Sequence, residues 1–167
     1  MTSSRLGRLG TLAFVLASLA TSGMARAADT IVGTWKLVKY ENTDAAGKVT
    51  KPYGEHPKGY FVYDATGHLS VHIMRDPVTP PFAAGADDKG TDAEVRAAYD
   101  GYVGYFGTYR VNAEKTVVTH VVEGALRPSY TGTDQPRPFK LKGDTLIVLP
   151  PPSKAGEHYY RELRRVR

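Results

Sequence analysis

The chain has 167 residues, of which 41% are hydrophobic, and it carries a formal net charge of +5 and no cysteine. This length suits one domain, and the lack of cysteine excludes disulfides, thiol nucleophiles and cysteine-based metal sites. Burial of a hydrophobic core must therefore hold the fold together.

The first 27 residues have the three parts of a secretory signal peptide. Arg5 and Arg8 form a basic region, the run LGTLAFVLASLA is apolar, and the small residues Ala25 and Ala27 frame a cleavage site. The apolar run is too short to be read as a membrane span. The sequence therefore predicts a signal peptide over residues 1–27, cleaved near Ala27/Ala28, and export of residues 28–167 as one domain to the periplasm or out of the cell.

Removal of this segment would also remove most of the excess positive charge. Three of the 22 basic residues (Arg5, Arg8 and Arg26) lie in it, so 19 remain against 17 acidic residues. Nucleic-acid binding needs a dense basic patch, so no nucleic-acid partner is expected.

Segments with strand character, bounded by turn residues, recur along residues 31–167. Their short connections favour antiparallel neighbours, and eight such strands close into a barrel that can hold one small ligand. We therefore expect an all-β fold, an eight-stranded antiparallel up-and-down β-barrel with one short helix between the third and fourth strands. The eight segments are IVGTWKLVKYEN, GYFVY, HLSVHIMR, FGTYRV, KTVVTHVVEGAL, RPFKLKG, DTLIVLP and HYYRELRRV.

The segment TDAEVRAAYDGY predicts the helix. Thr91 and Glu94 have the spacing of a capping box. The residues that follow place one apolar stripe along the helix: Val95, Ala98, Tyr99 and Tyr102. We expect this stripe to pack against the barrel, either as part of the core or as a lid over a ligand.

His68 and His72, in GHLSVHIMR, raise the question of a metal site. On a strand these two side chains share a face but lie roughly 13 Å apart, at about 3.3 Å per residue. One metal ion does not bind both at its ligand distances, so no metal site is expected. The same face instead offers hydrogen-bonding groups to a ligand, if it points into the barrel.

His120 lies on a largely apolar strand face with Val118 and Val122. Such a histidine is usually a hydrogen-bonded core residue, although one that lines a cavity can carry a proton. The sequence contains no nucleophile elbow, phosphate-binding glycine loop or dinucleotide fingerprint, which argues against a hydrolase, a kinase or a nicotinamide-dependent enzyme. Tyrosine, with 11 copies, suits the lining of a site for amphipathic ligands, and four copies lie close together: Tyr99, Tyr102, Tyr105 and Tyr109.

Three longer stretches, PYGEHPKGYFVYDATGHLSVHIMR, AAYDGYVGYFGTYRV and TVVTHVVEGALRPSYTGTDQPRPFKLKGD, resemble the bacterial and fungal lipocalin-like domain family. The resemblance runs in order from Ile31 to Val166. It implies a short, eight-stranded barrel of the calycin type. Kinship of this kind concerns architecture, and fold does not dictate function.

The sequence GTW at Gly33 to Trp35 is similar to the lipocalin G-x-W motif near the start of the first strand. By this resemblance Trp35 packs at the closed end of the barrel against an arginine of the last strand, either Arg165 or Arg161. We take Gly33, Trp35 and Arg165 as structural residues.

These observations predict an exported lipocalin-like protein that binds a small hydrophobic or aromatic molecule inside its barrel, without metal or organic cofactor. The alternative is a cofactor-free isomerase, cyclase or dehydratase, in which His120 transfers a proton in the same cavity. The catalytic residues, the ligand and the oligomeric state are left open. The expected ligand-binding residues are His72, Tyr105, Tyr109, His120 and Arg137.

Overall fold

The computed structural model describes residues 30–167. The predicted signal peptide, residues 1–27, lies outside this range. The described chain forms β1 (Gly33–Thr43), β2 (Val49–Thr50), β3 (Lys58–Tyr63), β4 (His68–Met74), α1 (Asp92–Asp100), β5 (Tyr102–Val111), β6 (Val117–Ala125), a 3₁₀ turn (Pro128–Tyr130), β7 (Asp134–Lys142), β8 (Thr145–Val148) and β9 (His158–Arg165).

Eight of these strands close into an antiparallel barrel. Each of β3 to β8 pairs with the next strand in the chain, and β1 pairs with both β3 and β9. The two-residue β2 pairs only with Asn42 and Thr43 at the end of β1 and is not part of the closed barrel. The predicted eight-stranded barrel is confirmed, with its helix after the third barrel strand.

Alternation along the strands decides what fills the interior. In β4, Leu69, Val71 and Ile73 are buried while His68 and His72 are exposed, because successive side chains of a strand point to opposite faces. A register shift in β1 after Leu37 interrupts this alternation and turns Tyr40 towards the interior.

The barrel has two different ends. At the closed end, β1 begins and β9 finishes, and buried side chains such as Trp35 and Leu163 fill much of the interior. At the open end, β1 finishes at Thr43 and β9 begins at His158, beside the connections that carry α1 and the 3₁₀ turn.

Helix α1 has the predicted capping box, since the Thr91 side chain accepts from the Glu94 amide and the Glu94 carboxylate accepts from the Thr91 amide. The core alternative for the apolar stripe is wrong, because no residue of α1 is buried and Val95 is 50% exposed, although Ala98 and Tyr99 are half-buried. The lid alternative stays a prediction. The stripe's Tyr102 lies in β5, outside the helix. Among residues 30–167, no helix is long and apolar enough to cross a membrane.

Candidate functional site

A cavity of about 530 Å³ occupies the open end of the barrel. Aliphatic and aromatic side chains from five strands form its apolar walls, among them Phe61, Ile73, Val103 and Val148. Tyrosines and arginines supply most of the rest of its lining: Tyr40, Tyr53, Tyr105, Tyr130, Tyr159, Arg127, Arg137 and Arg161. The cavity is therefore more polar and more cationic than the mainly apolar interior that the sequence suggested.

Below this cavity, His120 is held between two tyrosines. Its Nε2 lies 2.8 Å from the Tyr63 hydroxyl and its Nδ1 lies 2.9 Å from the Tyr105 hydroxyl. His120 and Tyr63 are fully buried, and Tyr105 is almost so. A neutral imidazole has one donor and one acceptor nitrogen, so one tyrosine donates to His120 and the other accepts from it.

This position determines the protonation of all three groups. Burial, with a smaller effect from the positive charge of Arg137, lowers the pKa of His120 from its usual 6.5 to about 3. Burial also raises the pKa values of Tyr63 and Tyr105. All three groups are therefore neutral near pH 7.

We expect His120 to make the fold less stable in acid. Between about pH 6.5 and pH 3 the unfolded chain binds a proton at residue 120 that the folded chain does not, so the free energy of unfolding falls as the pH is lowered through this window and is unaffected above it. One such group contributes a slope of at most about 1.4 kcal/mol per pH unit. Urea unfolding at about pH 6, 5 and 4 measures this slope.

The matched variant is His120→Gln, whose amide also has one donor and one acceptor side for the two tyrosines but does not titrate. Its free energy of unfolding should fall less than that of the natural chain over the same pH range. Equal slopes in the two proteins would contradict the assignment of this acid sensitivity to His120.

A column of aromatic rings connects the two ends of the interior. Its successive centroids are 5.1 Å (Tyr109 to Tyr63), 5.5 Å (Tyr63 to His120), 5.8 Å (His120 to Tyr105) and 6.0 Å (Tyr105 to Tyr130) apart. These distances are typical of favourable aromatic contacts; the first and last are edge-to-face, and the two with His120 are tilted. The column forms a packed floor beneath the open-end cavity.

The structure brings three of the five predicted ligand-binding residues to this region. Tyr105 and Arg137 line the open-end cavity, and His120 lies directly behind Tyr105. Arg137 donates to the Gln135 side chain at 2.8 Å and to the Pro136 carbonyl at 3.0 Å. The inward face of β7 thus presents a guanidinium to the cavity.

The other two predicted residues lie elsewhere. Placing His72 in the interior was wrong: it is exposed on the outer face of β4, where Ser70 and Tyr102 hydrogen-bond to its two ring nitrogens. Tyr109 points inward but near the closed end, where its hydroxyl donates to the Asp64 carbonyl at 2.7 Å. There it lines a separate cavity of about 700 Å³, bordered by residues 30–32 and by the turns after β5 and β7.

The three predicted structural residues meet at the closed end. The Arg165 guanidinium carbon lies 4.1 Å from the centre of the Trp35 ring, and Arg165 donates to the carbonyls of Thr30 and Val32 at 2.7 Å. The Trp35 indole N–H donates to the Ile31 carbonyl at 2.8 Å. Gly33 has a φ of +140°, which side chains rarely adopt, and a Cβ there would lie 2.7 Å from Arg165 Nη1, so this position favours glycine.

The alternative partner for Trp35, Arg161, lies at the open end instead. Its guanidinium carbon is 3.2 Å from the centre of the Tyr40 ring, and Arg161 is 6% exposed.

Residues 30–167 contain no cluster of three histidine, aspartate or glutamate side chains that could hold a metal ion.

Several residues of the open-end site were missing from the sequence-based set, among them Tyr53, Arg127 and Arg161 in the cavity lining and Tyr63 behind it. Strand alternation contains a signal for two of them, because Tyr63 shares a face with Phe61, and Arg161 shares a face with Leu163. Tyr53 and Arg127 lie in connections between strands, where alternation gives no information.

Comparisons with known proteins agree with this architecture. Residues 32–158 match the family model described as a lipocalin-like domain. The 4'-hydroxy-3'-methoxypropiophenone carrier protein ppsC of Aspergillus oryzae is 34% identical over 85 residues, which are 47% of this chain and 75% of that protein.

Two solved structures of 14% sequence identity are also similar. One is a redesigned β-barrel, with a TM-score of 0.41 over 87% of this chain and 100% of that chain. The other is a mutant of the fluorescent protein UnaG, with a TM-score of 0.36 over 81% of this chain and 96% of that chain.

Proposed function

Because the chain belongs to the lipocalin-like domain family, we propose that it is an exported carrier that holds a small aromatic molecule in the open-end cavity of its barrel. The observation that carries this proposal is a half-hollow barrel whose cavity of about 530 Å³ is walled by tyrosine rings. Cavities of this size bury most of a small ligand, and tyrosine offers both ring contact and a hydroxyl.

Two further observations support the proposal. The related fungal protein is named as a carrier of an aromatic ketone. Residues 1–27 have the charge and hydropathy pattern of a signal peptide, which is the basis for proposing export.

The chemistry of His120 favours binding over the isomerase, cyclase or dehydratase alternative. A general base works best when its pKa lies near the working pH, and the pKa of His120 is about 3. Both of its ring nitrogens are already occupied by tyrosine hydroxyls. These properties fit a residue that holds Tyr105 in place by a hydrogen bond better than they fit one that transfers a proton to a substrate.

Titration with prodan, an uncharged fluorescent naphthalene ketone, tests the proposal. We expect saturable binding at one site per chain, with emission shifted to shorter wavelength in the desolvated cavity. Ser129 is exposed at the rim of the cavity, so Ser129→Trp should obstruct its mouth and weaken binding about tenfold or more, which corresponds to about 1.4 kcal/mol.

The control is Lys36→Trp, which adds the same ring on the exposed outer face of β1. It should bind prodan like the natural chain. Absence of saturable binding, or equal affinity in the Ser129→Trp variant, would contradict a carrier site at the open end.

A further inference from the structure

Three arginines from different parts of the chain converge on the open-end cavity. Arg127 comes from the connection between β6 and β7, Arg137 from β7 and Arg161 from β9. The positive charge of Arg137 is close enough to lower the pKa of Arg161, in addition to the larger effect of burial. Like charges in one partly desolvated space repel each other, and a bound anion would relieve this repulsion.

None of the three guanidinium groups has a carboxylate partner among the described residues. No aspartate or glutamate of residues 30–167 lines the cavity, and the ion pairs in this range involve other residues. On the outer surface, by contrast, Arg96 pairs with Asp100 and Arg110 pairs with Asp134.

The groups that contact the three arginines are neutral. Arg127 lies 3.4 Å from the Tyr53 hydroxyl, and Arg137 donates to the Gln135 amide. Arg161 donates through Nη1 alone, to the carbonyls of Glu41 at 2.6 Å and Tyr160 at 3.0 Å. Each guanidinium has five N–H donors, so all three keep donors for a ligand.

Arg161 is the most deeply buried of the three arginines. It is 6% exposed and faces the cavity, and a charge removed from water in this way is costly unless an opposite charge compensates it. Its stacking on Tyr40 fixes the plane of the guanidinium, and a fixed planar fork matches the two oxygens of a carboxylate.

The walls next to the arginines are aromatic. The rings of Tyr40 and Tyr53 meet edge to face at 4.6 Å, and those of Tyr105 and Tyr130 meet at 6.0 Å. From these contacts we infer that the ligand is an aromatic carboxylate, held with its anionic group at Arg137 and Arg161 and its ring against the tyrosines. This inference rests on the proposed carrier function and adds the charge of the ligand to it.

Two probes of the same shape test the inference: 2-naphthoate, which is anionic, and 2-naphthamide, which is neutral. Their affinities can be measured at pH 7.5 by calorimetry or by displacement of prodan. We expect the natural chain to bind 2-naphthoate at least tenfold more tightly than 2-naphthamide. Arg137→Gln should weaken 2-naphthoate about tenfold and change 2-naphthamide less than about twofold.

The matched control is Arg110→Gln, which removes the same charge from the outer face of β5. It should leave both affinities within about twofold of those of the natural chain. A double variant, Arg137→Gln with Arg161→Gln, removes both arginines of the proposed anion site and should remove the preference for the anion.

The inference fails if both probes bind the natural chain equally, or if Arg137→Gln weakens both of them to the same extent. In that case saturable binding of prodan would still support the carrier function. Failure of prodan, 2-naphthoate and 2-naphthamide to bind at all would overturn the carrier function together with this inference.

Discussion

Replacement of Trp35 by alanine is expected to lower the free energy of unfolding by about 3–5 kcal/mol. Trp35 is fully buried at the closed end, so its removal leaves a large void that neighbouring side chains only partly fill. It also leaves the Ile31 carbonyl without the indole N–H and Arg165 without the ring it covers. A loss of this size is a large fraction of the total stability of a small domain.

The measurement is urea unfolding followed by circular dichroism, because Trp35 is the single tryptophan and its fluorescence disappears with it. Trp35→Phe is the control, since it keeps a ring for Arg165 and loses mainly volume and one hydrogen bond. It should cost clearly less than alanine. A loss below about 1 kcal/mol for Trp35→Ala would contradict the role of this residue as the plug of the closed end.

Replacement of His120 by alanine is expected to cost about 3–5 kcal/mol as well. The substitution removes a fully buried ring and leaves the hydroxyls of Tyr63 and Tyr105 without their partner. Each buried hydroxyl left unsatisfied costs about 1–3 kcal/mol, and the void adds to that loss. Urea unfolding at about pH 7.5, where His120 is neutral in both states, measures the change without a contribution from its titration.

A triple variant separates hydrogen bonding from packing. His120→Leu combined with Tyr63→Phe and Tyr105→Phe removes all three polar groups and retains most of the volume, so it should be more stable than His120→Ala. If the triple variant were the less stable of the two, unsatisfied hydroxyls would not be the cause of the loss.

Much of the barrel could be predicted from the sequence because alternation and turn residues are local signals. In β4 the aliphatic residues Leu69, Val71 and Ile73 all occupy the buried face, as a closed barrel requires. Alternation alone does not show which of the two faces of β4 points into the barrel. The prediction that His72 lines the cavity depended on the choice of the wrong face. The aliphatic face is the buried one because burying its apolar surface stabilises the fold more than burying a face with two histidines and a serine would.

The cationic character of the site was harder to predict. Arg137 and Arg161 lie on inward faces, but whether each has a carboxylate partner depends on contacts between strands that are distant in sequence. The position of Tyr40 depends on the register shift after Leu37, which no local pattern indicates. Arg127 is placed by the path of the connection between β6 and β7, and loop paths are the part of a fold that local patterns determine least.

The barrel closes through a seam between its first and last strands, β1 and β9, and this order limits how fast the chain can fold. The contact between Arg161 and the Glu41 carbonyl joins residues 120 positions apart, so the seam cannot form until β9 has been synthesised. Topologies with such distant pairings fold slowly, over about milliseconds to seconds. Until the seam forms, β1 and β9 are open sheet edges that can pair with other chains, and a chain truncated before His158 would leave β1 and β8 as permanent edges.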